Sequence, residues 1–377
     1  MDQYACGETR EVHLATGKLT LTVDRGPSID AMCDFAARAN PKRGFLIVSK
    51  VLGRHLPARP ADMRSVMNQL AQDLPDYGLG PVVFLGMAET ATALGQGVFA
   101  AYQEMTTNQS IYLQTSRQQV PGAEIVTTFE EGHSHATTHM VQIGNPSLKR
   151  ILKKARVLVI IDDESSTGNT FIAAANAMRS VMPELEEITT VCITDWSDGS
   201  YLAKMGAPTS SVSLLSGNMT WKPGEVPDTV QLATGSNRPG AAPAVGMRSR
   251  AGLLVPEKAK RSPVIAKPGE RILVLGDGEH SYEALLIAES IEEQGGIAAV
   301  QCITRSPVLA GHAMKSISHF DDSYGSGAPC FLYNINGHEP DRIIIAAEIS
   351  SGQEDRARAS LQEMGIDADV ETLICEY

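Results

Sequence analysis

No C-x-x-C pair occurs among the six cysteines, Cys6, Cys33, Cys192, Cys302, Cys330 and Cys375. That absence removes the sequence signals of a zinc knuckle and of a redox dithiol. No apolar run approaches the ~18 residues needed to cross a bilayer, and no apolar leader stretch stands near the N-terminus. Neither membrane insertion nor secretion is supported, and the expected compartment is the cytoplasm. Basic residues are scarce, 32 Lys+Arg against 44 Asp+Glu, giving a net charge of -12. That balance argues against nucleic-acid partners, which need stripes of Lys and Arg along the phosphates. A small phosphorylated ligand stays allowed, because backbone N–H groups can build its site locally. What remains is an ordinary globular composition, 43% hydrophobic and 20% charged over 377 residues, enough for two domains or three.

Between residues 80 and 200 apolar strands alternate with helical stretches. Pro81–Gly86, Ser110–Ser116, Glu124–Phe129, Arg156–Ile161 and Glu187–Trp196 read as strands. Ala88–Met105 and Asn169–Met182 read as helices. The unbroken apolar run at Arg156–Ile161 suits a parallel sheet covered on both faces. This order predicts an α/β, doubly wound parallel-sheet domain. The segment before residue 80 is expected to form an accessory subdomain, so that residues 1–221 make one domain. Residues 222–268 hold seven of the twenty prolines and five glycines, and read as a linker. Residues 269–377 read as a second α/β domain, with strands at Arg271–Gly276, Ile297–Thr304 and Arg342–Glu348 and a helix from Ser281 to Gln294.

The most informative stretch is Val157–Thr170, VLVIIDDESSTGNT. A buried strand ends in Asp162, Asp163 and Glu164. Ser165, Ser166, Thr167 and Gly168 follow, and a helix opens near Asn169 and Thr170. Ligands of open α/β sheets bind beyond the carboxyl ends of strands. Hydroxyls and amides at a helix N-terminus suit a phosphate. Two adjacent carboxylates can accept from vicinal hydroxyls or organise a magnesium ion through water. An N-capped helix after a strand accounts for Thr167; it leaves two acids at a buried strand end unexplained.

This loop resembles that of type I phosphoribosyltransferases. The resemblance spans about residues 80–200. It implies that Asp162 and Asp163 bind ribose hydroxyls and Mg²⁺, and that Ser166–Thr170 cradle the 5-phosphate of phosphoribosyl pyrophosphate (PRPP). More narrowly, the chain is similar to the phosphoribosyltransferases associated with tellurium-resistance gene clusters. Their C-terminal domain is named for a T-R-S-P motif, here Thr304-Arg305-Ser306-Pro307. The resemblance implies transfer of the phosphoribosyl group from PRPP to a small-molecule nitrogenous acceptor, with Mg²⁺ as cofactor.

By position, Met87, Ala88, Glu89 and Thr90 then match a pyrophosphate-binding turn. Glu89 reads either as a group that meets pyrophosphate through magnesium or as a first-turn acid complementing the helix dipole. Arg117 reads as a bidentate phosphate ligand or as a surface arginine. The FEEGHSHATTH segment lies where the family carries a mobile catalytic loop. His133 and His135, beside Glu131, are the candidates for assisting departure of pyrophosphate. Metal binding by His133, His135 and His139 is a rival reading without a recognised zinc spacing, and a solvated loop is a third.

The two α/β regions can be laid on each other. Leu85-Gly86 matches Leu275-Gly276, Glu89 matches Glu279, Arg117 matches Arg305, and Gly168 matches Gly352. Asp162-Asp163 falls on Ala346-Ala347 and Glu164 on Glu348. The second domain thus reads as a degenerate copy of the first, without its ribose-binding acids. Asp277, Gly278, Glu279, His280, Thr304, Arg305 and Ser306 form a second candidate site. The expected assembly is an intrachain pseudo-dimer or a homodimer. Two other functional readings stand beside the transferase: a PRPP or nucleotide sensor without catalysis, and a PRPP-synthase-like tandem enzyme.

Overall fold

Two unbroken apolar runs, Val82–Gly86 and Val157–Ile161, lie side by side as fully buried parallel strands at the centre of the molecule. The computed structural model describes residues 6–38, 40, 43–78, 80–130, 138–224, 240–241, 249–257, 264–325 and 327–375. Along the chain, the strands of the larger sheet are β1 (Thr9–Leu14), β2 (Gly17–Arg25), β3 (Val82–Gly86), β4 (Ser110–Ser116), β5 (Glu124–Glu130), β6 (Thr138–Ile143), β7 (Val157–Ile161), β8 (Glu187–Asp195) and β9 (Thr209–Pro223). Their spatial order is β1-β2-β9-β8-β7-β3-β4-β6-β5. The five central strands, β4-β3-β7-β8-β9, are mutually parallel. Numbered among themselves they run 2-1-3-4-5, a doubly wound order whose switch point lies between β3 and β7.

The region expected to be an accessory subdomain divides in two. Its strands β1 and β2 continue the main sheet, β2 pairing antiparallel with β9. A separate hairpin, Cys33–Ala37 with Phe45–Ser49, follows. The chain then passes through Arg54–Ala58 into helix α1 (Pro60–Gln72). Helix α2 (Thr92–Met105) is buried almost all round, because the sheet, α1 and a helix of the second domain pack on it. Gly97 permits that approach: a Cβ there would sit 2.1 Å from Met67 Sδ.

The second sheet contains β10 (Arg271–Asp277), β11 (Ile297–Ile303), β12 (Arg342–Ala347) and β13 (Asp369–Ile374), ordered β11-β10-β12-β13 and parallel throughout. Numbered among themselves they run 2-1-3-4, as β4-β3-β7-β8 do in the first sheet. In both domains an antiparallel hairpin follows the second strand, β5–β6 in the first and Ile317–Phe320 with Cys330–Tyr333 in the second. After the third strand, helix α3 (Asn169–Arg179) starts at Gly168 (φ +70°) and the corresponding helix (Gln353–Glu363) at Gly352 (φ +72°). The acid positions Ala346 and Ala347 are buried in the apolar core.

The domains join through α2 and helix α4 (Tyr282–Glu293). Thr92 Oγ1 and Ser281 Oγ share a 2.7 Å hydrogen bond at the seam, and Arg64 of α1 makes a bidentate pair with Glu289 of α4 at 2.7 and 2.9 Å. Each domain also covers an edge of the other. Ala58 exchanges backbone hydrogen bonds with Val300 of β11, and Leu253 with Tyr112 of β4. Residues 249–253, inside the stretch expected to link the domains, are therefore packed and paired with β4.

Candidate active site

The site grows from the switch point. β3 and β7 emerge side by side, and Met87 N–H donates to Ile161 O at 2.9 Å. The turn after β3 thus leaves the sheet beside the loop after β7. In that loop, backbone amides of β8 hold the Asp163 carbonyl, with Ile193 N–H at 3.1 Å, and Trp196 N–H donates to Ser165 O at 2.8 Å. The Asp162 carboxylate accepts the Asp163 amide at 2.9 Å. Burial, reinforced by the neighbouring Glu164 charge, pushes the Asp163 carboxyl up to about 6, against the pull of Asp162 and Arg43. Glu164 is neutralised by Arg43 Nη2, which reaches both its oxygens at 2.6 and 2.7 Å. The acidic cluster is therefore divided: Glu164 has its own cation, and the adjacent pair Asp162 and Asp163 provides hard oxygen donors.

Next along the loop, the amides of Ser166, Thr167 and Gly168 donate to no hydrogen bond among the described residues. They stand at the N-terminus of the 11-residue helix α3, where the dipole favours an anion. Gly168 is fixed twice over. Its φ is +70°, and an added Cβ would lie 2.0 Å from Tyr201 Cγ. Tyr201 is held by stacking on Phe171 and by a 2.8 Å hydrogen bond between its hydroxyl and Thr190 Oγ1. Gly168→Ala should cost at least about 1–2 kcal/mol from the left-handed backbone alone, and should also displace the Tyr201 ring. Denaturant unfolding measures the first effect; a midpoint equal to wild type would contradict this reading of the loop.

Across the switch point, Met87 and Ala88 are buried, Thr90 is half-buried and the Ala88–Glu89 peptide is cis. Ala88 N–H donates to Thr115 Oγ1 at 2.7 Å. Glu89 is paired with the buried Arg54 and also accepts the Arg305 amide at 3.3 Å. Its carboxylate is thus held in an ion pair at the domain seam. Arg117 is buried, with Nη1 3.4 Å from Thr138 O and Nη2 3.2 Å from His139 Nε2.

His139 lies on β6; its partners in the rival metal reading, His133 and His135, lie outside the described residues. Its Nδ1 lies 3.0 Å from Thr115 Oγ1, and its ring stacks on Phe129 at 4.8 Å. A guanidinium can only donate, so Nε2 accepts and the proton sits on Nδ1. A chain of hydrogen bonds then runs Arg117, His139, Thr115, Ala88, joining the hairpin to the turn. Glu131, His133 and His135 lie outside the described residues.

The second-domain candidates gather around two buried cations, Glu279 on Arg250 and Gly278 and Thr304 on Arg54. Arg250 is 1% exposed. It donates through Nε to Glu279 at 2.6 Å, through Nη1 to both oxygens of Glu348 at 2.6 Å, and through Nη2 to the Tyr324 hydroxyl at 3.2 Å. Glu279 also accepts from Ser116 Oγ at 2.6 Å and from the Arg117 amide at 2.7 Å. Burial pushes the Glu279 carboxyl up, but Arg250 and these donors more than offset it, leaving it below the ordinary carboxylate range. His280 is buried, which lowers its tendency to protonate, yet Glu283, Cys375 and Glu348 overcome that and raise it to about 10. Burial also pushes the Asp277 carboxyl up. Gly278 O accepts from Arg54 Nη1 at 2.5 Å, Thr304 Oγ1 from Arg54 Nη2 at 3.3 Å and from Ser306 N–H at 3.2 Å. Arg305 is anchored to Asp322 at 2.6 Å. Arg43, Arg54, Arg250 and Tyr201 were not identified from sequence, for each sits in a stretch with no motif around it.

Residues 32–218 match the family described as Phosphoribosyl transferase, and residues 247–364 match the family described as TRSP domain C terminus to PRTase_2. The second match includes Arg250. Among solved structures, the chain is similar to the APRTase of Giardia lamblia, at 19% identity over 49% of this chain and 94% of that one, with a TM-score of 0.34. It is similar to the adenine phosphoribosyltransferase of Rhodothermus marinus, at 15% identity over 49% and 94%, TM-score 0.33. The orotate phosphoribosyltransferase of Aeropyrum pernix matches at 18% identity over 49% and 88%, TM-score 0.29. No curated protein matches the chain. Among the described residues, no helix is long and apolar enough to cross a membrane.

Proposed function

We propose that the chain transfers a 5-phosphoribosyl group from PRPP to a nitrogenous acceptor and releases pyrophosphate. The observation that carries this reading is the Asp162–Thr170 loop: two adjacent carboxylates followed by three undonated amides at a helix N-terminus, all at the switch point of a phosphoribosyl transferase domain. The amides of Ser166, Thr167 and Gly168 bind the 5-phosphate. Asp162 and Asp163, adjacent acids at the strand end, accept from the two ribose hydroxyls. The Met87–Thr90 turn receives the diphosphate.

In the transfer, the acceptor nitrogen forms a bond to C1 while the C1–oxygen bond breaks, and its electron pair leaves with pyrophosphate. The protein's part is to orient the two reactants and to stabilise the leaving charge. The donor set at Asp162 and Asp163 suits a hard cation such as Mg²⁺. Bound with the diphosphate, it would supply charge neutralisation. Burial and the Glu164 charge raise the proton affinity of Asp163, and such a cation, or the ribose hydroxyls, would offset both on its charged form.

The test is calorimetric titration with PRPP in the presence and absence of Mg²⁺, followed by pyrophosphate release with a panel of nitrogenous bases. Saturable Mg-dependent binding and base-dependent release are expected. Binding with no release for any base would leave a sensor, and no binding would remove the assignment.

A further inference from the structure

The Thr304-Arg305-Ser306-Pro307 motif lies in the second domain, yet its hydrogen bonds reach into the turn of the first. Arg305 N–H donates to Glu89 at 3.3 Å, and Thr304 Oγ1 accepts from Arg54 at 3.3 Å. Arg54 is 2% exposed and forms three contacts at once: the Glu89 carboxylate, Thr304 Oγ1, and Gly278 O at 2.5 Å. One guanidinium therefore fastens the first-domain turn to two loops of the second domain. The reverse contact exists as well, because Glu279, the counterpart of Glu89, accepts the amide of Arg117, the counterpart of Arg305. Each turn is thus clamped by the residue that follows the second strand of the other domain.

We propose that the Thr304–Pro307 motif is an interdomain clamp: Thr304, Arg305 and Arg54 are positioning residues that set the Met87–Thr90 turn in its anion-receiving shape. The clamp acts on the first domain at this turn, where its bonds converge on the Glu89 carboxylate. The reasoning is mechanical. Glu89 stands one residue beyond Ala88, whose amide is already bound to Thr115. With Glu89 held as well, the peptide between them has a fixed direction, and an anion finds the Glu89 N–H already oriented. Loss of the clamp would let the turn sample other directions before each binding event.

This inference rests on the proposed function for its ligand, and the experiment separates the two. The full chain carrying Thr304→Val, which keeps shape and removes the acceptor for Arg54, is compared with wild type and with Arg54→Met. Inorganic pyrophosphate with Mg²⁺ probes the turn, and ribose 5-phosphate probes the Asp162–Thr170 loop. The expected result is pyrophosphate binding weakened roughly tenfold in Arg54→Met and less in Thr304→Val, with ribose 5-phosphate affinity unchanged in both. Equal losses for both probes, or no loss for either in a wild type that binds both, would overturn the clamp. If wild type binds neither probe, the functional reading fails and the clamp is judged by amide hydrogen exchange in the ligand-free protein. Exchange at residues 88–92 must then rise in Thr304→Val while that of the Asp162–Thr170 loop does not; an unchanged pattern overturns it. Should Arg54→Met fail to fold, Thr304→Val decides alone.

Discussion

Asp163→Asn is expected to weaken Mg–PRPP binding by roughly ten- to more than a hundredfold, the effect of losing a charge-assisted contact of about 1.5–3 kcal/mol. The change preserves volume, so the loop should keep its backbone contacts to Ile193 and Trp196. A second signature comes from pH. Asp163 titrates at about 6 instead of its ordinary 3.8, through burial and the Glu164 charge. A carboxyl whose folded value is raised contributes stability that is fully present below about 3.8 and lost as the pH rises through about 6. For this group the ligand-free protein therefore grows less stable between pH 4 and 7. Ligand that requires the charged form binds better over the same range. Wild-type affinity should accordingly rise from pH 5 to 7, and the Asn variant should lose that portion of the rise. Calorimetry at the two pH values checks both. Affinity unchanged by the substitution at pH 7 would refute the assignment of Asp163 to the ligand.

Much of this loop was readable from sequence because its determinants are local. A buried β-run, two acids, a hydroxyl-rich stretch and a glycine at the helix start lie within fourteen consecutive residues, and each is explained by its neighbours in the chain. The central strands were equally legible, since runs such as VLVII have few alternatives once length and burial are considered. Other parts were hidden for identifiable reasons. The long strand β9, TSSVSLLSGNMTWKP, is half Ser, Thr, Gly and Asn and is not read as a strand; it forms because its first half pairs with β8 and its second half with β2. The helix read as starting at Ala88 begins at Thr92, because residues 87–91 form the turn tied to Ile161 and Thr115. The arginine partners were invisible altogether. Arg43 is 121 residues from Glu164, and Arg250 is 98 residues from Glu348. Such pairings depend on tertiary approach, which no local pattern encodes. Glu89 shows the consequence: taken alone it is a carboxylate in an anion site, and only Arg54 makes its charge compatible with that place.

Arg250→Met should destabilise the protein by about 3–5 kcal/mol, the range seen when one partner of a buried ion pair is removed. The guanidinium lies between the two second-domain loops, where it neutralises Glu279 and Glu348 and bonds to Tyr324. Methionine fills comparable space and offers no donor, so two carboxylates, 4% and 0% exposed in their side chains, would lose the guanidinium they share. Glu279 would still have Ser116 and the Arg117 amide; Glu348 would retain the Tyr324 hydroxyl and the His280 ring, 3.7 Å away. The pH dependence distinguishes this cause from lost packing. In wild type Glu279 is held below the ordinary range, so its contribution is present above about 4.5 and fades as the pH falls through its folded value. In the variant, burial acts on Glu279 without the opposing pull of Arg250, so its carboxyl should titrate upward and acidification relieves the penalty. The gap between variant and wild type should therefore be widest near pH 7–8 and narrow towards pH 5. Adding Glu279→Gln and Glu348→Gln to Arg250→Met should recover part of the loss at pH 7, because a neutral cluster no longer buries unpaired charge. Thermal and denaturant unfolding of the full chain measure wild type and both variants. A loss that is independent of pH and unrelieved by the two Gln substitutions would show that Arg250 acts as packing rather than as the internal cation of the second domain.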